Sequence, residues 1–216
     1  MSDDVATDQG RDGRAEIRRR RVTVAGHRGD ATVARRGLAD PDPGVQAAAR
    51  GALARLGELQ AADVEAALAE GAPALRRRAV EVALAARGSG SRSSLPRAVT
   101  GALADPDPLV VVGAAWFLAE RHARPAVADL AATATGHADA RCREAAVAAL
   151  GAIGDPAGLP AVLNALTDAP TVRRRATVAL AGFDDPRVTP ALRAASEDRD
   201  WQVRQAAGEL LDDPTP

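Results

Sequence analysis

Few residues in this chain could do chemistry, and they are scattered. The histidines are His27, His122 and His137, and none has a carboxylate-plus-histidine partner at helical spacing, so no metal ligand set is read. The single cysteine, Cys142, excludes an intramolecular disulfide and a multi-cysteine metal site. The serines cluster near 89–94 without a nucleophile-elbow context, and there is no GxxxxGKS phosphate loop. Trp116 and Glu120, four residues apart, could share one helical face. All 28 basic residues are Arg and there is no Tyr, a pattern that resembles the codon bias of a high-GC bacterium and removes Lys and Tyr as catalytic candidates. No catalytic residue, metal or cofactor is expected.

The elements that would position these residues are helices. The 216 residues are 46% hydrophobic but only 2% aromatic, and Ala dominates. Small side chains suit closely packed helices and poorly suit a sheet core. The formal net charge of -1 supplies no global field toward nucleic acid or an anionic membrane. The acidic start Met1-Ser2-Asp3-Asp4 and the lack of a long apolar run predict neither signal peptide nor membrane span, hence a cytoplasmic protein.

An internal repeat organises the chain. Segments beginning at Ile17, Val45, Leu75, Val110, Cys142, Val172 and Val203 are separated by 28, 30, 35, 32, 30 and 31 residues. Counting each start as position 0, positions 4, 7 and 8 recur as Ala49, Ala52 and Leu53, or Ala146, Ala149 and Leu150. Of the 28 residues so aligned, 27 are apolar, which marks one buried face of an α-helix in every segment. The exception is Arg21 in the first segment, where a polar capping repeat is expected.

Starts and stops agree. Asp40-Pro41-Asp42-Pro43, Asp105-Pro106-Asp107-Pro108, Asp168-Ala169-Pro170 and Asp198-Arg199-Asp200 precede helices as capping turns. Gly26, Gly57, Gly88, Gly151 and Gly154, and Asp184-Asp185-Pro186, are expected to end them. Shorter apolar stretches between segments (Val64–Ala69, Leu95–Leu103, Val127–Ala132, Leu159–Leu166, Val188–Ala195) read as partner helices. Residues 1–14 and 215–216 are expected to be tails, the first disordered, and 88–94 a flexible loop, leaving one domain over 15–214.

The run from Ala140-Arg141-Cys142-Arg143 through Leu150-Gly151 to Gly154-Asp155-Pro156 resembles the HEAT-like repeat of the phycobilisome-lyase type. So do Val172-Arg173 to Asp185-Pro186 and Val203-Arg204 to Leu211. The resemblance implies an all-α, right-handed α-solenoid (armadillo-like) of about seven HEAT-like helical hairpins. It also implies that the Arg at position 1 of five segments (Arg18, Arg76, Arg143, Arg173, Arg204) pairs with inter-repeat Asp residues, and that each second helix lines a concave side. HEAT-like di-iron hydroxylases use repeated His-Glu pairs, which this sequence does not contain.

Position 2 points away from the buried face and carries Arg19, Arg77 and Arg174, with Arg20, Arg78 and Arg175 beside them at position 3. In the fourth segment Val112 and Trp116 replace this charge with an apolar spot beside Glu120. These nine residues are the candidate partner-binding surface, suited to another protein or an acidic peptide segment. The expected function is a monomeric, non-enzymatic protein-binding scaffold or adaptor. Two alternatives come from the resemblance: a HEAT-like alkylpurine DNA glycosylase or other nucleic-acid binder using Trp116, Glu120 and Trp201, and a tetrapyrrole (bilin) lyase-like protein. Trp201 is otherwise expected to cover the C-terminal end of the stack.

Overall fold

The structure, a computed structural model, describes residues 3–86 and 95–212, all helix and turn with no strand among them. The expected flexible loop 88–94 and the tail 215–216 lie outside the described residues. Two compact units divide at Ala98–Val99. The first holds α1 (Asp3–Arg28), α2 (Ala31–Gly37), α3 (Pro43–Leu56), α4 (Ala61–Glu70) and α5 (Pro73–Ala85). Helix α6 (Leu95–Thr100) spans the division. The second unit follows with α7 (Pro108–Glu120), α8 (Val127–Gly136), α9 (Ala140–Ile153), α10 (Leu159–Ala165), α11 (Pro170–Ala179), α12 (Val188–Ala195) and α13 (Trp201–Asp212).

Each of the seven segments lies on a long helix: α1, α3, α5, α7, α9, α11 and α13. The shorter helices fall on the expected partner stretches, and α2 adds one that the sequence pattern did not reveal. Helix α1 has no shorter helix before it, so six segments form hairpins and the first stands alone among the described residues. Residues 3–14, expected as a tail, continue α1 instead, extending the hydrogen-bond ladder of the packed segment that follows.

Within the first unit α1 packs on α3 and α3 on α5; within the second α7, α9, α11 and α13 stack in sequence, with the short helices behind. Positions 0, 4, 7 and 8 are fully buried in α3, α7, α9 and α11, as the periodicity requires. In α1 they are not, since Ile17 is 70% exposed and Val24 37%. Helix starts follow the Asp turns: Asp42, Asp107 and Asp139 each accept a backbone N–H of the first turn. Gly57 and Gly154 end α3 and α9 at φ 75° and 65°, the left-handed conformation that suits glycine.

Gly26 and Gly151 were expected to end helices but sit inside α1 and α9. A Cβ at Gly151 would lie 2.6 Å from the Cβ of Ala179 and 2.7 Å from its Cα, and one at Gly26 would lie 2.7 Å from the Cβ of Ala52. Both are contact points where neighbouring long helices approach backbone to backbone. This accounts for an Ala-rich core, because larger residues there would hold the helices apart.

The arginines at position 1 tie the repeats together. Arg143 grips Asp168 through Nε and Nη2 at 2.6 and 2.7 Å, while its Nη1 donates to the His137 and Ala138 carbonyls. Arg173 repeats this with Asp198 at 2.9 and 2.8 Å and donates Nη1 to the Asp168 carbonyl. Arg204 closes the series on the Asp198 and Arg199 carbonyls. In the first unit Arg18 grips Asp40 in the same bidentate way. Arg143 and Arg173 each staple their own turn to the next one, and Arg18 reaches the turn that follows its helix.

Gly151→Val should destabilise the protein by about 1–3 kcal/mol by overpacking. Gly208→Ala, inside α13 with open space around its Cβ, should stabilise it by about 0.5–1 kcal/mol. Asp198→Asn should cost about 3 kcal/mol, because the Arg173 side chain is only 5% exposed and would lose its counter-charge. Asp40→Asn should cost less, since Arg18 is 42% exposed. Urea unfolding checks all four.

Candidate protein-docking surface

Position 6 of α7, α9 and α11 holds Trp116, Ala148 and Val178, one residue per helix at the same register. None faces the core: Trp116 is 59% exposed, Val178 is 44% exposed and Ala148 is half-buried. A shared register on consecutively packed helices makes these three an apolar row across the second unit. Val112, half-buried, lies one turn before Trp116, and the exposed Glu120 one turn after it.

Polar groups border the row. Arg174 is exposed, with no ion pair among the described residues. Arg175 is half-exposed and its Nη2 lies 3.4 Å from Glu144 of α9, which makes it a tether between helices rather than a freely available cation. Val178 belongs to this surface although the sequence reading passed over it. Its signal was an apolar residue at the outward position 6, two residues after the buried Ala176.

The basic pairs of the first unit are less uniform. Arg19 pairs with Glu16, and Arg78 with Glu81 at 3.0 Å, both on their own exposed helix faces. Such pairs hold side chains loosely. Arg77 is half-buried. Arg20 lines a groove between α1 and α2 together with Arg21. Between α1 and α5, helix α3 presents Ala47 and Ala48 at the equivalent positions, so the two arginine pairs do not form a continuous strip.

Comparison with known proteins bears on the architecture. HEAT repeats match residues 95–177 and 159–213, together just over half of the chain. The chain belongs to the HEAT-repeat family. No curated protein matches the sequence. Among solved structures, the complex of CpcE and CpcF of phycocyanin lyase from Nostoc sp. PCC7120 is similar at 23% identity and TM-score 0.55, covering 82% of this chain and 74% of that one. A designed armadillo repeat protein in complex with the peptide (KR)4 is similar at 18% identity and TM-score 0.61, over 82% and 96%. A second designed armadillo repeat protein gives 16% identity and TM-score 0.55. These likenesses establish an all-α solenoid fold with HEAT repeats, in keeping with the phycobilisome-lyase type of repeat.

In this HEAT-repeat protein the single cysteine belongs to the core, while His27 and His122 are exposed. Cys142 fills core position 0 of α9, fully buried, with Sγ 3.5 Å from the Pro108 carbonyl. Burial pushes its thiol up to about 11, far from the thiolate a nucleophile needs. Among the described residues no three His, Cys, Asp or Glu side chains gather as a metal site, and no helix is long and apolar enough to cross a membrane. Trp116 and Glu120 share α7, whereas Trp201 opens α13, with α9 and α11 stacked between those two helices. Trp201 is itself 62% exposed, so most of its ring covers nothing.

The carboxylates of the surface turns are held acidic. The Arg141 guanidinium, followed by its backbone N–H, lowers Asp139 to about 2, and Arg187 does the same for Asp185. Arg143 and Arg173 lower Asp168 and Asp198 in the same direction by side-chain hydrogen bonds. Folded values below the unfolded value of about 3.9 mean the stabilisation is complete above that pH and is lost as pH falls through the folded values. Thermal unfolding should therefore show stability declining with acidity below about pH 4, with Asp168→Asn and Asp198→Asn flattening that slope. Native Cys142 should resist thiol-reactive dye and react only at the rate of unfolding.

Proposed function

We propose that this HEAT-repeat protein is a non-enzymatic scaffold or adaptor whose second unit docks a segment of a partner protein across the outward faces of α7, α9 and α11. The observation that carries this reading is the exposed Trp116–Ala148–Val178 row with Arg174 beside it. A large aromatic kept in water costs solubility, and a solvated charged face would have served the fold equally well. An aromatic anchor with a polar rim is the composition typical of interface hot spots. The segment that fits has an apolar side chain for the Trp116 row and an acidic group for Arg174.

Support by likeness is limited to architecture. The CpcE and CpcF structure is a complex of two proteins, and one designed armadillo protein holds a peptide. A solenoid without chemistry of its own is a surface for such contacts. The buried thiol and the separation of Trp116 from Trp201 favour this reading over the glycosylase and bilin-lyase alternatives.

The test uses the whole protein with a photo-crosslinking residue in place of Val178, or of the exposed Arg193 of α12 as control, in the native host. A partner crosslinked from 178 and not 193 is then purified and titrated. Trp116→Ala and Arg174→Glu should each weaken it by about tenfold or more. Equal binding by both variants would remove the docking surface from this face. Crosslinking to nucleic acid would replace the scaffold reading with the nucleic-acid one.

A further inference from the structure

An open groove of about 690 Å³ runs between α1 and α2. Its apolar floor is Ile17, Val24 and Val33, and Arg20, Arg21 and Arg28 stand over it. The one acid lining it, Asp30, already accepts the backbone N–H of Val33 as the cap of α2.

Two features mark this groove as a receptor rather than a frayed end. Ile17 and Val24 occupy positions 0 and 7, which are buried in α3, α9 and α11. In α1 both are aliphatic and exposed. The second feature is charge. Three arginines against one engaged carboxylate leave the rim strongly positive although the whole chain has a net charge of -1.

We propose that the α1–α2 groove binds an acidic amphipathic helix of a partner protein, whose charge complements the arginine rim. This fold packs helices as short as α8 with 10 residues and α10 with 7, so a helix of a few turns suffices as the occupant. Its apolar stripe, at i, i+4 and i+7, covers Ile17, Val24 and Val33. Its flanking Asp or Glu side chains meet Arg20, Arg21 and Arg28, a helix-in-groove contact with a charged rim.

The experiment titrates the full chain into a dye-labelled, helix-stapled peptide of about 12 residues, or ~18 Å of helix, bearing Leu at three positions of one face and Glu on its flanks. One control peptide carries Lys in place of Glu, and another has the same composition with the Leu residues scattered. The groove should bind the acidic amphipathic peptide in a salt-sensitive manner. Ile17→Asp and the Arg20→Glu/Arg21→Glu pair should each weaken binding by about tenfold or more, while Arg193→Glu leaves it unchanged. All these changes are at exposed positions, and circular dichroism confirms that the variants are folded. No binding, equal binding of the scattered peptide, a preference for the Lys peptide, or indifference to Ile17→Asp would each overturn the proposal. A concentration-dependent dimer in sedimentation that Ile17→Asp abolishes would also overturn it, by showing that a second copy covers the groove. The Trp116 surface is unaffected by any of these outcomes.

Discussion

The bidentate clasp between a position-1 arginine and the aspartate of the next turn is the constraint on which the repeat geometry depends. Small residues let the long helices approach closely, but Ala against Gly offers little to fix their register. The clasp does so. In the second unit Arg143, Asp168, Arg173, Asp198 and Arg204 form an unbroken series in which each aspartate is held by one arginine's fork and its carbonyl by the following arginine. Arginine suits this role because its planar fork meets a carboxylate with two parallel bonds and leaves Nη1 for a backbone carbonyl.

Fixing the register also determines what the outside presents. With positions 0, 4, 7 and 8 committed to the core and position 1 of several helices to the clasp, positions 2, 6 and 10 stay out of the buried core. Trp116, Val178 and Arg174 all occupy such positions, as does Glu120. Specificity for a partner can thus be written on a surface whose framework is indifferent to it. In α1 the same core positions are less committed, with Ile17 70% and Val24 37% exposed.

Much of the fold was legible in the sequence because one period repeats seven times, and each repetition checks the others. The aspartate turns and partner helices fell where spacing placed them. What could not be read was local. Gly26 and Gly151 look like helix stops in sequence, and only the approach of Ala52 and Ala179 shows them to be packing points. The helicity of residues 3–14 carries no apolar periodicity to announce it. At the candidate surface, the outward direction of Val112 and Trp116 followed from helical geometry, but the capture of Arg175 by Glu144 depends on which helices are neighbours. Val178 was visible as an apolar residue at an outward position and acquired meaning only beside Trp116 and Ala148.

Native-state hydrogen exchange on Asp198→Asn, residue by residue against wild type, tests the clasp most directly. If the clasp couples successive repeats, amides of α12 and α13 should lose protection while those of α7 and α9 keep theirs, because only the Arg173 junction is broken. A uniform loss of protection across the second unit, or none in α12 and α13, would contradict the account.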